Sequence, residues 1–188
     1  YHLRPMADYA NACVAFERAL VIAERIFDSD HPNVAMGVNN LGLVLQDLGE
    51  LPAARAAFER ALAIAERAFG PNHPDVALIF GNLGLVLKDL GDLPAARVAC
   101  ERALTIDSQA FGSDHPTVAK DVNNLGLVLL DLGDLPAARA AFERALAIAE
   151  CTFGPDHPAV ATMVNNLGLV QKDLGNLIAA RAAFERAL

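Results

Sequence analysis

The chain repeats itself at a fixed period, because His31–Asn72, His73–Asp114 and His115–Asp156 can be written as three rows of equal length that align without a gap. The first and third rows differ at only 8 positions. A fourth copy begins at His157 and stops at Leu188, just after its own Phe184-Glu185-Arg186-Ala187-Leu188. Going backwards, Phe16-Glu17-Arg18-Ala19-Leu20 falls one full period before Phe58-Glu59-Arg60-Ala61-Leu62. The expected organisation is a single repeat array over 1–188: a partial divergent repeat at 1–30, repeats at 31–72, 73–114 and 115–156, and a truncated repeat at 157–188. Both ends of the array are expected to be severed, the chain starting at Tyr1 rather than Met. A unit this small cannot bury an apolar face alone, so stacked neighbours must bury it together.

Within a row, Val34, Val38, Leu41, Leu45 and Leu48 recur at three- and four-residue steps, which marks one face of an amphipathic helix. This helix, A, is expected to start where Asn72, Asp114 and Asp156 can cap exposed N–H groups. Pro74, Pro116 and Pro158 sit in its first turn, and Gly49, Gly91, Gly133 and Gly175 end it. Glu50, Asp92, Asp134 or Asn176 is the expected cap of a second helix, B, which runs through Ala54, Phe58, Ala61, Leu62 and Ile64 to Phe69 and closes on Gly70. Gly42 and Ala54 let the two backbones approach closely while Leu41 and Phe58 fill the space beside them, so A and B make a hairpin. Composition agrees with an all-α fold: 54% of residues are apolar, carried by Ala, Leu and Val, aromatics are 6% and Trp is absent, so the core consists of many small aliphatic contacts. Cys100 holds the Phe58 position and is expected to be a buried small hydrophobe in a locally looser interface.

Fifteen basic and 23 acidic side chains leave a net charge of -8. That balance offers no field to phosphate backbones or anionic headgroups, so neither nucleic acid nor membrane is an expected partner. No apolar run approaches the roughly 20 residues that cross a bilayer, and residues 1–25 lack the zones of a signal peptide. Cys13, Cys100 and Cys151 are odd in number and lack Cys-x-x-Cys spacing, which argues against a disulfide framework or a zinc site and fits a reducing, cytoplasmic setting.

No metal site or cofactor is expected. His31, His73, His115 and His157 are each one full repeat apart, and stacked helices lie about 8–10 Å from one another, whereas ligands of one ion nearly touch. Each histidine is better read as a loop residue packing near Phe27, Phe69, Phe111 or Phe153. Phosphate-binding and nucleophile motifs are absent, and Ser29, Ser108 and Ser113 have no orienting base. Cys151 replaces Arg67, again without a base. Arg55 and Glu59 form an i,i+4 pair on a solvated face. The chain is expected not to be an enzyme.

The spacing Val38…Leu41-Gly42…Leu45…Ala54…Phe58…Ala61 resembles the tetratricopeptide repeat signature. The whole unit, with its Asn-Asn-Leu-Gly, Glu-Arg-Ala-Leu-Ala-Ile and Phe-Gly-Pro-x-His-Pro segments, is similar to the long repeats of kinesin light chains and of many bacterial arrays. The resemblance covers essentially the whole chain. Its departures are Leu45 where the family often has an aromatic and the lack of Trp at Val38. It implies a tetratricopeptide-type helix-turn-helix solenoid, a right-handed superhelix whose concave groove, lined by A helices, binds an extended peptide or partner segment. Carried over residue by residue, the groove-facing steps fall on Asn39, Leu43 and Gln46, on Gly81, Leu85 and Lys88, on Asn123, Leu127 and Leu130, and on Asn165, Leu169 and Lys172.

An amide can donate and accept together, which suits an extended backbone, and the neighbouring Leu row would hold apolar side chains. The second amide row, Asn40, Asn82, Asn124 and Asn166, occurs in every copy and reads as a tie between adjacent hairpins. For the Asn39 row, broken by Gly81, and for the Leu43 row, ligand contact and burial against a neighbouring helix are both open. The family's carboxylate clamp is not expected, because its Asn step falls on the Leu43 row. The variable positions Met36, Leu78, Lys120 and Thr162, with Gln46, Lys88, Leu130 and Lys172, form a mildly basic and apolar lining, so an acidic–apolar peptide is the expected ligand. Two other roles are open: self-association through exposed terminal repeats, and, by resemblance alone, the C-terminal sensor region of a larger bacterial signalling ATPase.

Overall fold

A computed structural model describes residues 30–187 together with Arg18 and Val21. Nearly all of the partial repeat at 1–30, with Cys13 and Phe27, lies outside the described residues. Those described form eight α-helices and no strand: α1 (Pro32–Asp47), α2 (Leu51–Phe69), α3 (Pro74–Asp89), α4 (Leu93–Phe111), α5 (Pro116–Asp131), α6 (Leu135–Phe153), α7 (Pro158–Asp173) and α8 (Leu177–Arg186). The odd-numbered helices are the A helices and the even-numbered ones the B helices. Two compact units result: residues 1–92, with α1 to α3, and residues 93–188, with α4 to α8. The boundary falls between the A and B helices of the 73–114 repeat.

Each A helix begins one residue later than the Asn and Asp caps anticipated. His31, His73, His115 and His157 are the N-caps: they are extended, and their Nδ1 atoms accept from the backbone N–H of Asn33, Asp75, Thr117 and Ala159 at 3.1–3.2 Å. The imidazole does the work usually given to a carboxylate or amide, and the proline that follows it has no N–H to satisfy. The A helices end as expected. Gly49 sits at φ 78°, its N–H bonds to the Gln46 carbonyl and that of Glu50 to the Leu45 carbonyl, a 5→2 and 6→1 pair that closes the last turn. Of the anticipated B-helix caps, Asp134 accepts from the Ala137 N–H at 3.2 Å, whereas Glu50 and Asn176 make no such bond.

The hairpin is held at close range by a glycine facing a phenylalanine. A Cβ on Gly42 would lie 2.7 Å from Phe58 Cε1, on Gly126 2.6 Å from Phe142 Cε1, and on Gly168 2.7 Å from Phe184 Cε1. Phe58 and Phe142 are fully buried. In the first unit α1 packs on α2 and α2 on α3, and the A helices α1 and α3 touch. Its core includes Val34, Val38, Ala54, Phe58, Ala61 and Ile64, while Leu41, Leu45 and Leu48 of the anticipated face are half-buried. In the second unit α4 packs on α5, α5 on α6, α6 on α7 and α7 on α8, with α5 touching α7. Val118, Ala119 and Val122 of α5 meet Ala145, Ile148 and Ala149 of α6 and Val160, Met163 and Val164 of α7.

Overpacking such a contact costs about 1–3 kcal/mol. Gly126→Ala is expected to lower stability by that amount in urea unfolding, and Phe142→Leu in the same chain to recover most of it by removing the ring that the new methyl meets.

Candidate functional site

The A helices carry the residues that the sequence singles out, and the two units place them alike. In the first unit, Asn82 Nδ2 of α3 donates to Asn39 Oδ1 of α1 at 2.9 Å. In the second, Asn166 Nδ2 of α7 donates to Asn123 Oδ1 of α5 at 2.8 Å. All four amides are buried, Asn39 to 2% exposure. The two amide rows are therefore one device. The first Asn of a repeat accepts from the second Asn of the next, because consecutive A helices approach with those positions face to face. Asn39 and Asn123, named above among groove positions, are spent on this contact and turned away from solvent. Gly81, also buried, has no amide to offer.

What stays accessible is the next step of the helix. In the first unit Leu43 is 38% exposed and Leu78 comparably so, while Leu85 is half-buried. Gln46 Nε2 donates to Asp89 Oδ2 of α3 at 3.2 Å, and Lys88 Nζ lies 2.8 Å from Asp89 Oδ1. In the second unit Leu127 and Leu130 are half-buried against the cluster of Leu129, Ala138, Phe142 and Val170. Leu169 is half-buried, and Lys120, Asn165 and Lys172 are exposed. Asn165 borders an open pocket with Ala161, Thr162, Phe184 and Ala187.

The histidine row is accounted for by stacking as well as capping. Phe69 and His73, Phe111 and His115, and Phe153 and His157 have ring centroids 4.5, 4.6 and 4.4 Å apart at 14–22°. Among the described residues no group of three His, Cys, Asp or Glu could hold a metal ion, and no helix is long and apolar enough to cross a membrane. Cys100 is buried and Cys151 exposed, both as free thiols. Burial, with the charges of Asp121 and Glu101, pushes the Cys100 thiol up to about 12, far from the thiolate that reacts. The outer B-helix faces carry the anticipated i,i+4 pairs, Arg55–Glu59, Arg97–Glu101 and Arg181–Glu185 at 2.7 Å.

One feature of the second unit does not follow from the repeat pattern. Asp107 of α4 and Asp121 of α5 are buried together, at 2% and 6% exposure. Its signal is present in the rows, where Asp107 replaces Ala65 and Ala149 and Asp121 replaces Gly37, Ile79 and Met163.

The tetratricopeptide repeat family model matches residues 35–99, 75–150 and 121–188. The chain belongs to the tetratricopeptide repeat family. No curated protein matches it in sequence. Among solved structures, BtubC (BKLC) from P. vanneervenii is 27% identical with a TM-score of 0.83, over 98% of this chain and 73% of that one. A kinesin light chain-type protein of Podosopora anserina with nearly identical TPR-like repeats is 20% identical with a TM-score of 0.78, over 98% and 88%. A Rap protein complexed with Competence and Sporulation Factor is 18% identical with a TM-score of 0.81, over 97% of this chain and 49% of that one. The all-α, helix-turn-helix architecture implied by the tetratricopeptide spacing is the one present, and it is a fold of protein–protein interaction scaffolds, generally non-catalytic.

A buried carbonyl left without its donor costs about 1–3 kcal/mol. Asn82→Ala is expected to destabilise the first unit by that much, and Asn39→Ala with Asn82→Ala by less than the sum of the two single changes in a double-mutant cycle. Iodoacetamide at pH 8 is expected to label Cys151 in the folded chain and to leave Cys100 unmodified until denaturant is added, with the sites read by peptide mass mapping.

Proposed function

We propose that this tetratricopeptide repeat chain is a non-enzymatic interaction scaffold that binds an extended peptide or partner segment on the A-helix faces of its units. The observation that carries this reading is the division of roles along those helices. The amides that hold neighbouring A helices are buried, and the adjoining step presents leucines and lysines outward. In the first unit the face offers Leu43 and Leu78, with Lys88 half-buried and paired to Asp89. In the second it offers Lys120, Thr162 and Lys172 beside the half-buried Leu127, Leu130 and Leu169. Lys88, Lys120 and Lys172 are the only lysines of the chain, and all three stand on A helices of a protein whose net charge is -8. Such a face suits a ligand of alternating acidic and apolar side chains. A Rap protein of the same fold, complexed with Competence and Sporulation Factor, supports the reading. Cytoplasmic placement belongs to it too, given the free thiols of Cys100 and Cys151.

Selection from a random peptide library on the immobilised chain is expected to enrich acidic–apolar sequences. Their affinity should fall about tenfold or more, equivalent to about 1.4 kcal/mol, on Lys120→Glu with Lys172→Glu at unchanged helicity and melting temperature. Equal binding by the variant, or no enrichment on the folded chain, would overturn the reading.

Homotypic assembly is favoured by a different observation: Ile178, which stands on α8 where the other repeats have Pro52, Pro94 and Pro136, is 89% exposed. A mass by light scattering that rises from micromolar to millimolar concentration, and ceases to rise in Ile178→Pro, the residue of the sister repeats, supports it. A constant monomer mass rejects it.

A further inference from the structure

Asp107 and Asp121 are the only buried acidic side chains among the described residues. They lie on α4 and α5, which pack directly on each other, and each carboxyl acts on the other's proton affinity through charge and hydrogen bonding. Asp107 Oδ1 and Asp121 Oδ2 are buried, and no backbone or side-chain donor reaches either. Among the described residues no arginine or lysine forms an ion pair with the two. The titratable groups that act on the pair are His115, at the start of α5, and Lys120, beside Asp121; Asp121 in turn acts on the Cys100 thiol of α4. From α6 and α7, what packs on α5 in the neighbouring core is aliphatic: Ala145, Ile148 and Ala149, and Val160, Met163 and Val164.

Two carboxylates can hydrogen-bond only if a proton lies between them. Without it, two negative charges face each other in a medium that solvates neither, and opening the contact to water becomes the way to relieve them. We propose that the Asp107–Asp121 pair is a proton-operated latch between α4 and α5: one shared proton locks the two helices together, and its loss loosens this seam and no other. The sister repeats, with Ala65 and Ile79 or Ala149 and Met163 at these positions, are locked at every pH by apolar packing. The latch lies in the helix whose outer steps are Lys120, Leu127 and Leu130, so proton loss alters the setting of that face whether or not the face binds a peptide.

The direction in pH follows from burial. Desolvation, followed by the charge of Asp107 and its hydrogen bond, pushes Asp121 from the ordinary 3.8 up to about 8, against the pull of Lys120. Desolvation also raises Asp107, while its hydrogen bond to Asp121 and the electrostatic pull of His115 and Lys120 act the other way. An opened seam releases the proton near the ordinary value and a closed one holds it to about 8, so the closed form binds more protons between these limits. Its stability is complete below pH 4 and is lost as the pH rises through 8.

Hydrogen–deuterium exchange of the chain, corrected for the intrinsic rate at each pH, reads this directly. The expected result is that protection of α4 and α5 amides falls by about tenfold per pH unit between pH 5 and 7 and levels off above pH 8, with no such slope in α1 to α3. In Asp107→Ala with Asp121→Ile, which restores the residues of the preceding repeat, the slope is expected to vanish and protection at pH 8 to rise. A slope that persists in the double variant, or is missing from the parent chain, overturns the latch. Should the double variant fail to fold, carboxyl carbon NMR of the parent decides: an aspartate titrating near pH 8 sustains the latch, and ordinary titration of both carboxyls overturns it.

Discussion

The rings of Phe58, Phe142 and Phe184 occupy the space where Gly42, Gly126 and Gly168 would otherwise carry a side chain, and this contact sets how near the two helices of a hairpin can come. With that distance established, the remaining interface can be filled by alanine and valine. Ala54, Ala61, Ala138 and Ala145 are fully buried, and Ala138 shares a cluster with the Phe142 ring. Close-packed interiors tolerate neither a missing nor an extra methyl well, so the glycine and the phenylalanine act as one element although they stand on different helices. A chain with 6% aromatics and no Trp can build a dense core only if its few rings are seated this closely.

Stacking of hairpins rests on a different kind of contact. The apolar faces attract without direction, and two buried amides supply the direction. A side-chain hydrogen bond of 2.8–2.9 Å between consecutive A helices is satisfied in one register only. The histidine before α3, α5 and α7 adds a fixed entry angle, because the same ring that accepts a backbone N–H also stacks on the phenylalanine closing the preceding B helix. Turn, cap and stack are thus joined in one short loop. These demands consume the amides and most of the apolar surface, and the outward steps around Leu43, Lys120 and Lys172 are what they leave free to differ. The Asp107–Asp121 pair departs from the pattern, since it places ionisable groups where the repeats on either side place Ala65 with Ile79 and Ala149 with Met163.

Much of this is legible in the residues. The repeat period, the helix pairs with their glycine ends, the close approach of the two helices at Gly42 and the i,i+4 pairs on the outer faces all follow from spacing and side-chain size, which are local quantities. Three things are not. Carboxylates and amides are the usual acceptors at an N-cap, which points to Asn72, Asp114 and Asp156, while the histidine one residue on has the better geometry. Asn39 and Asn40 look like separate rows, because a single repeat cannot show that the first amide of one meets the second of the next. Asp107 and Asp121, in different rows and on different helices, meet only when α4 folds back along α5.

What the sequence by itself determined is everything carried by periodicity: the helices, their turns, their pairing into hairpins and the family to which the repeats belong. Periodic chemistry repeats in every row and can be read from any one of them. What only the tertiary structure decided is where side chains from different rows come together: Asn39 with Asn82, Asn123 with Asn166, Asp107 with Asp121. Distances between side chains of different helices depend on packing angle and register to within a few tenths of an ångström, and no count of residues along a chain contains them. Whether a polar side chain is surface or core is settled at that scale.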